Sequence, residues 1–103
     1  MKLTDKERGK LVNLRNDGFR YLARDKNGYL WAYASKPRKA SDQWECELES
    51  GEWVNPIEVE RKGSKIPYKH RPYRGVVMQY FAFVSWKDEN PTSMDKLMNF
   101  NLA

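Results

Sequence analysis

The chain has 103 residues, 40% of them apolar and 14% aromatic, which suits one folded domain over 1–103 and argues against disorder. A single cysteine, Cys46, excludes an internal disulfide and points to a reducing compartment, and the polar start MKLTDKERGK lacks the apolar stretch of a signal peptide. The net charge is +5, and the longest mostly apolar run, 76–86, is too short to cross a bilayer, so a cytoplasmic protein with no membrane partner is expected.

In chain order, residues 4–17 read as a helix. Thr4 and Glu7 have capping-box spacing, Leu11 and Leu14 share a face, and Gly18 suits the position just after the helix end. The next unit, 19–34, reads as a hairpin around Asn27-Gly28, the dipeptide that favours a two-residue turn with positive φ at both positions. That turn puts Phe19, Tyr21, Ala23, Leu30, Ala32 and Ala34 on one face, expected to meet the helix. Arg20, Leu22, Arg24, Tyr29, Trp31 and Tyr33 fall on the other, where Arg24 and Trp31 come within cation–π reach.

Residues 35–43 read as a loop. Over 44–60 the pattern alternates, with Trp44, Cys46 and Leu48 inward, Glu45, Glu47 and Glu49 outward, and a turn at Ser50-Gly51. Two prolines and two glycines make 61–75 an irregular loop. Residues 76–86 read as a buried strand or two short ones, KDENP as a turn, and 93–100 as a short helix capped by Thr92 or Ser93. The expected fold class is α+β: an N-terminal helix packed on a small antiparallel sheet with strands at 19–34, about 44–60 and 76–86, then a short C-terminal helix.

Charge is blocked along the chain. Seven acids and no Lys or Arg lie between Asp42 and Glu60, whereas seven bases and no acid lie between Arg61 and Lys87. The two blocks can neutralise each other across neighbouring strands, or the basic one can face a partner.

Catalytic and metal chemistry find little footing. One His and one Cys, with no paired-ligand spacing, do not make a zinc site, and no EF-hand loop is present. Cys46 alternates with glutamates that would raise its pKa, and no glycine-rich phosphate loop occurs. The expectation is a non-enzymatic protein without a cofactor.

Binding is the remaining class. Arg20, Arg24 and Trp31 on the hairpin, and Lys69, Arg71, Tyr73 and Arg74 in YKHRPYRG, are the candidate contacts: the bases for phosphates, the rings for stacking. The hairpin residues equally suit a protein interface, or a second core layer with arginine stems over aromatic rings.

Two stretches carry a resemblance: GFRYLARDKNGYLWAYASKP followed by Trp44, and FAFVSWKDENPTSMDKL. Together they cover roughly a third of the chain and resemble small uncharacterised proteins encoded by phages and prophages of Gram-positive bacteria. The resemblance implies an accessory role in handling host machinery, phage DNA metabolism or host defence. The expected partner is nucleic acid or a nucleoprotein machine. A protein–protein inhibitor or adaptor, of anti-restriction or anti-CRISPR type, is the second reading, with a nucleic-acid-binding host protein as its target. A virion structural or assembly protein is the third.

Overall fold

The computed structural model describes residues 3–57, 72–73, 76 and 78–102, with side chains described as far as Asn99. The fold is α+β. Helix α1 spans Asp5–Asn16 and starts with a complete capping box: the Thr4 hydroxyl accepts from the Glu7 amide, and the Glu7 carboxylate accepts from the Thr4 amide. It ends in a Schellman motif. Gly18, at φ 100°, turns the chain so that the Phe19 amide reaches the Leu14 carbonyl and the Gly18 amide reaches Arg15. Leu11 and Leu14 are buried, as their spacing predicts.

Strands β1 (Tyr21–Arg24) and β2 (Leu30–Tyr33) form the expected hairpin, but its turn differs from the sequence reading. The Gly28 amide bonds the Asp25 carbonyl, the Asp25 amide bonds the Tyr29 carbonyl, and only Gly28 has positive φ. This is a three-residue loop with glycine at the left-handed position. Asn27 instead accepts from the Tyr29 amide through its side chain. The loop shifts the register by one residue, so Leu22 faces Ala32 and Ala23 faces Trp31. A one-residue slip exchanges faces in one strand relative to the other. The faces assigned above are therefore corrected: Leu22, Arg24, Leu30 and Ala32 share one, and Tyr21, Ala23, Trp31 and Tyr33 the other.

Both faces are covered, and every residue of β2 is buried. On the first face, Leu22, Leu30 and Ala32 pack with Leu3, Leu11, Leu14, Val76, Phe81, Val84 and Met94. On the second, Ala23, Trp31 and Tyr33 pack with Trp44, Cys46 and Val54. The latter three come from a second sheet, β3 (Arg38–Lys39), β4 (Trp44–Glu47) and β5 (Trp53–Val54), in the order β3-β4-β5. Trp44 and Cys46 point inward and Glu47 outward, as the alternation predicts. Part of the expected 35–43 loop is thus strand β3. The β4–β5 turn repeats the loop of the first hairpin: the Gly51 amide bonds the Leu48 carbonyl, the Leu48 amide bonds the Glu52 carbonyl, and Gly51 has φ 88°.

The described residues of 76–86 form successive turns, not the expected strand. Their anchor is Arg24. Its guanidinium donates to the carbonyls of Gly28, Met78, Tyr80, Phe81 and Val84 at 2.7–3.2 Å. Phe81 is fully buried at φ 55°, left-handed for a non-glycine residue, and its amide donates to the Glu7 carboxylate. One arginine thus does the work that a strand partner would otherwise do for these carbonyls.

Strand β6 (Thr92–Ser93) pairs with β1, giving the order β2-β1-β6, and leads directly into helix α2 (Met94–Leu102). Ser93 accepts from the Lys96 amide at 3.4 Å, which is the capping role expected of it. The result is three layers, with the helices on one side of the central sheet and the β3-β4-β5 sheet on the other. Among the described residues no helix is long and apolar enough to cross a membrane.

Candidate functional site

The sequence-derived contacts separate. Lys69, Arg71 and Arg74 lie outside the described residues. Trp31 is 2% exposed in the layer between the sheets, with no ring face for a stacking base. Arg24 sits on the opposite face from Trp31, so the expected cation–π contact does not form, and its charge is spent on five carbonyls. Both residues are structural here. For Trp31 and Tyr33 the second-core-layer reading holds.

Arg20 and Tyr73 remain near the surface. Tyr73 is bridged to β2 through two 2.8 Å hydrogen bonds with Ala32, which places its ring on the helix side of the central sheet. Phe19 stacks on that ring at 5.8 Å between centroids, and the Lys10 ammonium lies 5.1 Å from it. Next along the chain, Arg20 directs its guanidinium toward α2. There Asp95 Oδ1 lies 2.8 Å from Arg15 Nε and 3.8 Å from Arg20 Nη1. Lys10 therefore stands beside the aromatic pair, and Arg15 and Arg20, on either side of the α1–β1 joint, beside the carboxylate.

Sequence reasoning missed Lys10, Arg15, Phe19 and Asp95 in this role. They come from α1, the α1–β1 joint and α2, and nothing in the local pattern joins positions 10, 73 and 95. The Schellman turn at Gly18 is the one local signal, because it folds Phe19 and Arg20 back beside the helix end.

A second basic-aromatic cluster lies on the outer sheet. The Arg38 guanidinium covers the Trp53 ring at 4.5 Å and bonds Glu45 at 3.0 Å. The Lys39 ammonium sits 4.4 Å from the Trp86 ring and donates to the carbonyls of Trp86 and Asp88. Trp86 meets Trp44 edge-on. Both cations are already matched by intramolecular anions, rings or carbonyls.

The buried titratable groups serve packing. Asp25 is 5% exposed and accepts from the Trp44 amide at 3.0 Å, tying the first hairpin to β4. Burial pushes its pKa up, opposed by hydrogen bonds from the Trp44 amide and the Trp31 side chain. Burial also pushes the Cys46 thiol up to about 11, with Glu45 adding to the rise, so it is a poor nucleophile at neutral pH. Among the described residues no group of three or more His, Cys, Asp or Glu is placed to hold a metal ion.

No family model, curated protein or solved structure matches this chain.

Proposed function

We propose that the protein is a non-enzymatic binding module for an anionic partner, nucleic acid or a nucleoprotein machine, and that it is an accessory protein of the phage-encoded kind. The contact surface is the joint of α1 and β1 with Tyr73. The observation that carries this reading is the pair Arg15 and Arg20 set against the single carboxylate of Asp95, with Lys10 beside the Phe19–Tyr73 pair. Arg71 and Arg74 flank Tyr73 in the chain and extend the basic character of the segment. Phe19 stacks on the Tyr73 ring and the Lys10 ammonium donates to the Tyr73 hydroxyl at 3.4 Å, so the rings hold Lys10 in place and the cations meet phosphate. Contact of this type positions a backbone without reading its sequence.

The test is binding of labelled single- and double-stranded DNA and RNA at about 50 and 200 mM salt, a range over which phosphate contacts weaken steeply. Lys10→Gln with Arg20→Gln is expected to weaken binding, and a complex indifferent to salt would sink the reading.

A second reading, an inhibitor or adaptor that docks on a host protein, draws on a different place. A cleft of about 320 Å³ is lined by Tyr29, Leu30, Val76 and Met78, with Tyr29 and Met78 close to half exposed. Its mark would be a pulled-down protein partner whose binding survives high salt and is lost in Met78→Asp.

A further inference from the structure

Asp95 pairs with two arginines and satisfies neither. Arg15 Nε lies 2.8 Å from Oδ1 yet makes no hydrogen bond, and Arg20 Nη1, on the same oxygen, stops at 3.8 Å. Arg20 has 48% of its side chain exposed, and Asp95 56%. A planar carboxylate on a short side chain comes between the two guanidiniums without a well-directed hydrogen bond to either. A tetrahedral anion with diverging oxygens bridges a wider gap, and guanidinium forks match phosphate geometry.

We propose that Arg15 and Arg20 form a phosphate-binding subsite, and that Asp95 occupies it as an intramolecular stand-in until a phosphodiester replaces it. This rests on the anionic-partner reading above and adds an anchor residue pair and a built-in competitor.

Asp95 lies in the first turn of α2, where the unpaired amides and the helix dipole stabilise a carboxylate. Displacing it from the arginines leaves that stabilisation in place, so only the ion pair is lost. Exposed pairs are weak in any case, on the order of 0.2–1 kcal/mol, so a multivalent polyanion can open this one.

Removing the stand-in should strengthen binding. The probe is a fluorescein-labelled DNA, single- and double-stranded, read by anisotropy from about 50 to 200 mM salt. Asp95→Asn is expected to bind about two- to fivefold tighter than the parent at the low-salt end, the fold-change corresponding to one exposed pair. Its log–log salt slope should steepen by about 0.9, the increment for one more phosphate on duplex DNA. Arg15→Gln with Arg20→Gln, added to Asp95→Asn, should cancel the gain. Asp42→Asn removes the same charge from an exposed position before β4 and should leave affinity unchanged. Asp95→Ser, which keeps a helix-start hydrogen-bonding side chain, serves if Asp95→Asn misfolds.

Inorganic phosphate, followed by thermal shift, separates the sources. Greater stabilisation of Asp95→Asn than of the parent means the subsite takes a free phosphate, and tighter DNA binding without that response means it needs the polymer. An Asp95→Asn protein that binds no tighter, or an Asp42→Asn protein that gains as much, overturns the subsite. If the parent binds DNA salt-sensitively while Asp95→Asn is unchanged, only the subsite falls. If neither binds, the broader reading falls with it.

Discussion

Two basic-aromatic clusters lie on opposite sides of the central sheet, and they use the same residue types to different ends. On the outer sheet, Arg38 rests on Trp53 and Glu45, and Lys39 on Trp86 and two carbonyls. Each cation closes a local account of rings and acceptors, and the cluster staples β3 to β4, β5 and the turn before β6. On the helix side, Arg15 and Arg20 face a single carboxylate, and Lys10 reaches the hydroxyl of a tyrosine stacked on Phe19. Residue type alone does not separate a staple from an interface. The number of acceptors within reach of each cation does.

That comparison can be broken or sharpened by substitution. The largest effect is expected from the outer staple's buried ring. Trp44→Ala should lower stability by about 3–5 kcal/mol in denaturant unfolding, because it opens a void between the two sheets and leaves the Arg24 carbonyl without the indole. Arg24→Ala comes next, at about 3 kcal/mol, since five carbonyls lose a charged donor. Arg24→Lys should recover only part of this, because an ammonium lacks the planar fork. A stability change below about 1 kcal/mol for Arg24→Ala would mean that the 78–84 turns hold themselves.

Asp25→Ala should cost about 2 kcal/mol by stranding the Trp44 amide, with Asp25→Asn milder because it keeps an acceptor. The pH dependence has a definite sign. Burial raises the folded pKa of Asp25, so the folded chain holds this proton more tightly than the unfolded chain does. Its stability contribution is present at low pH and declines as pH rises from the ordinary carboxylate range through the folded pKa. Asp25→Asn should remove that decline, which melting curves at several pH values will register.

In DNA binding, Lys10→Gln with Arg20→Gln should weaken affinity about tenfold at low salt, whereas Arg38→Gln with Lys39→Gln should leave it nearly unchanged. Equal losses in both double variants would erase the distinction between staple and interface. The smallest effect expected is on stability in Arg38→Gln, about 0.5 kcal/mol, typical of an exposed ion pair with a ring beneath it.

Much of the fold was legible. Capping residues, the C′ glycine, the 44–48 alternation and the terminal helix all act within a few positions, and all appear in place. The candidate site was less legible. Arg20 and Tyr73 lie in the proposed surface, but Arg24 and Trp31, chosen by the same reasoning, are interior. A single extra residue in the hairpin loop decided this by setting the register that points Arg24 at the helices and Trp31 at the outer sheet. Asn27-Gly28 permits either a two- or a three-residue loop, and the energy that selects between them is burial of whole faces, not turn chemistry.

The sequence by itself determined the α+β class, where the helices start and stop, the presence of two hairpins, and an excess of positive charge, because capping, alternation and net charge are local or additive. The tertiary structure alone decided that the central sheet is buried on both faces, that 76–86 turns around an arginine where a strand was expected, and which cations keep a surplus. The last two outcomes depend on contacts between residues 47 to 80 positions apart, as in Lys39 to Trp86, Arg24 to Val84 and Arg15 to Asp95, and no local pattern encodes them.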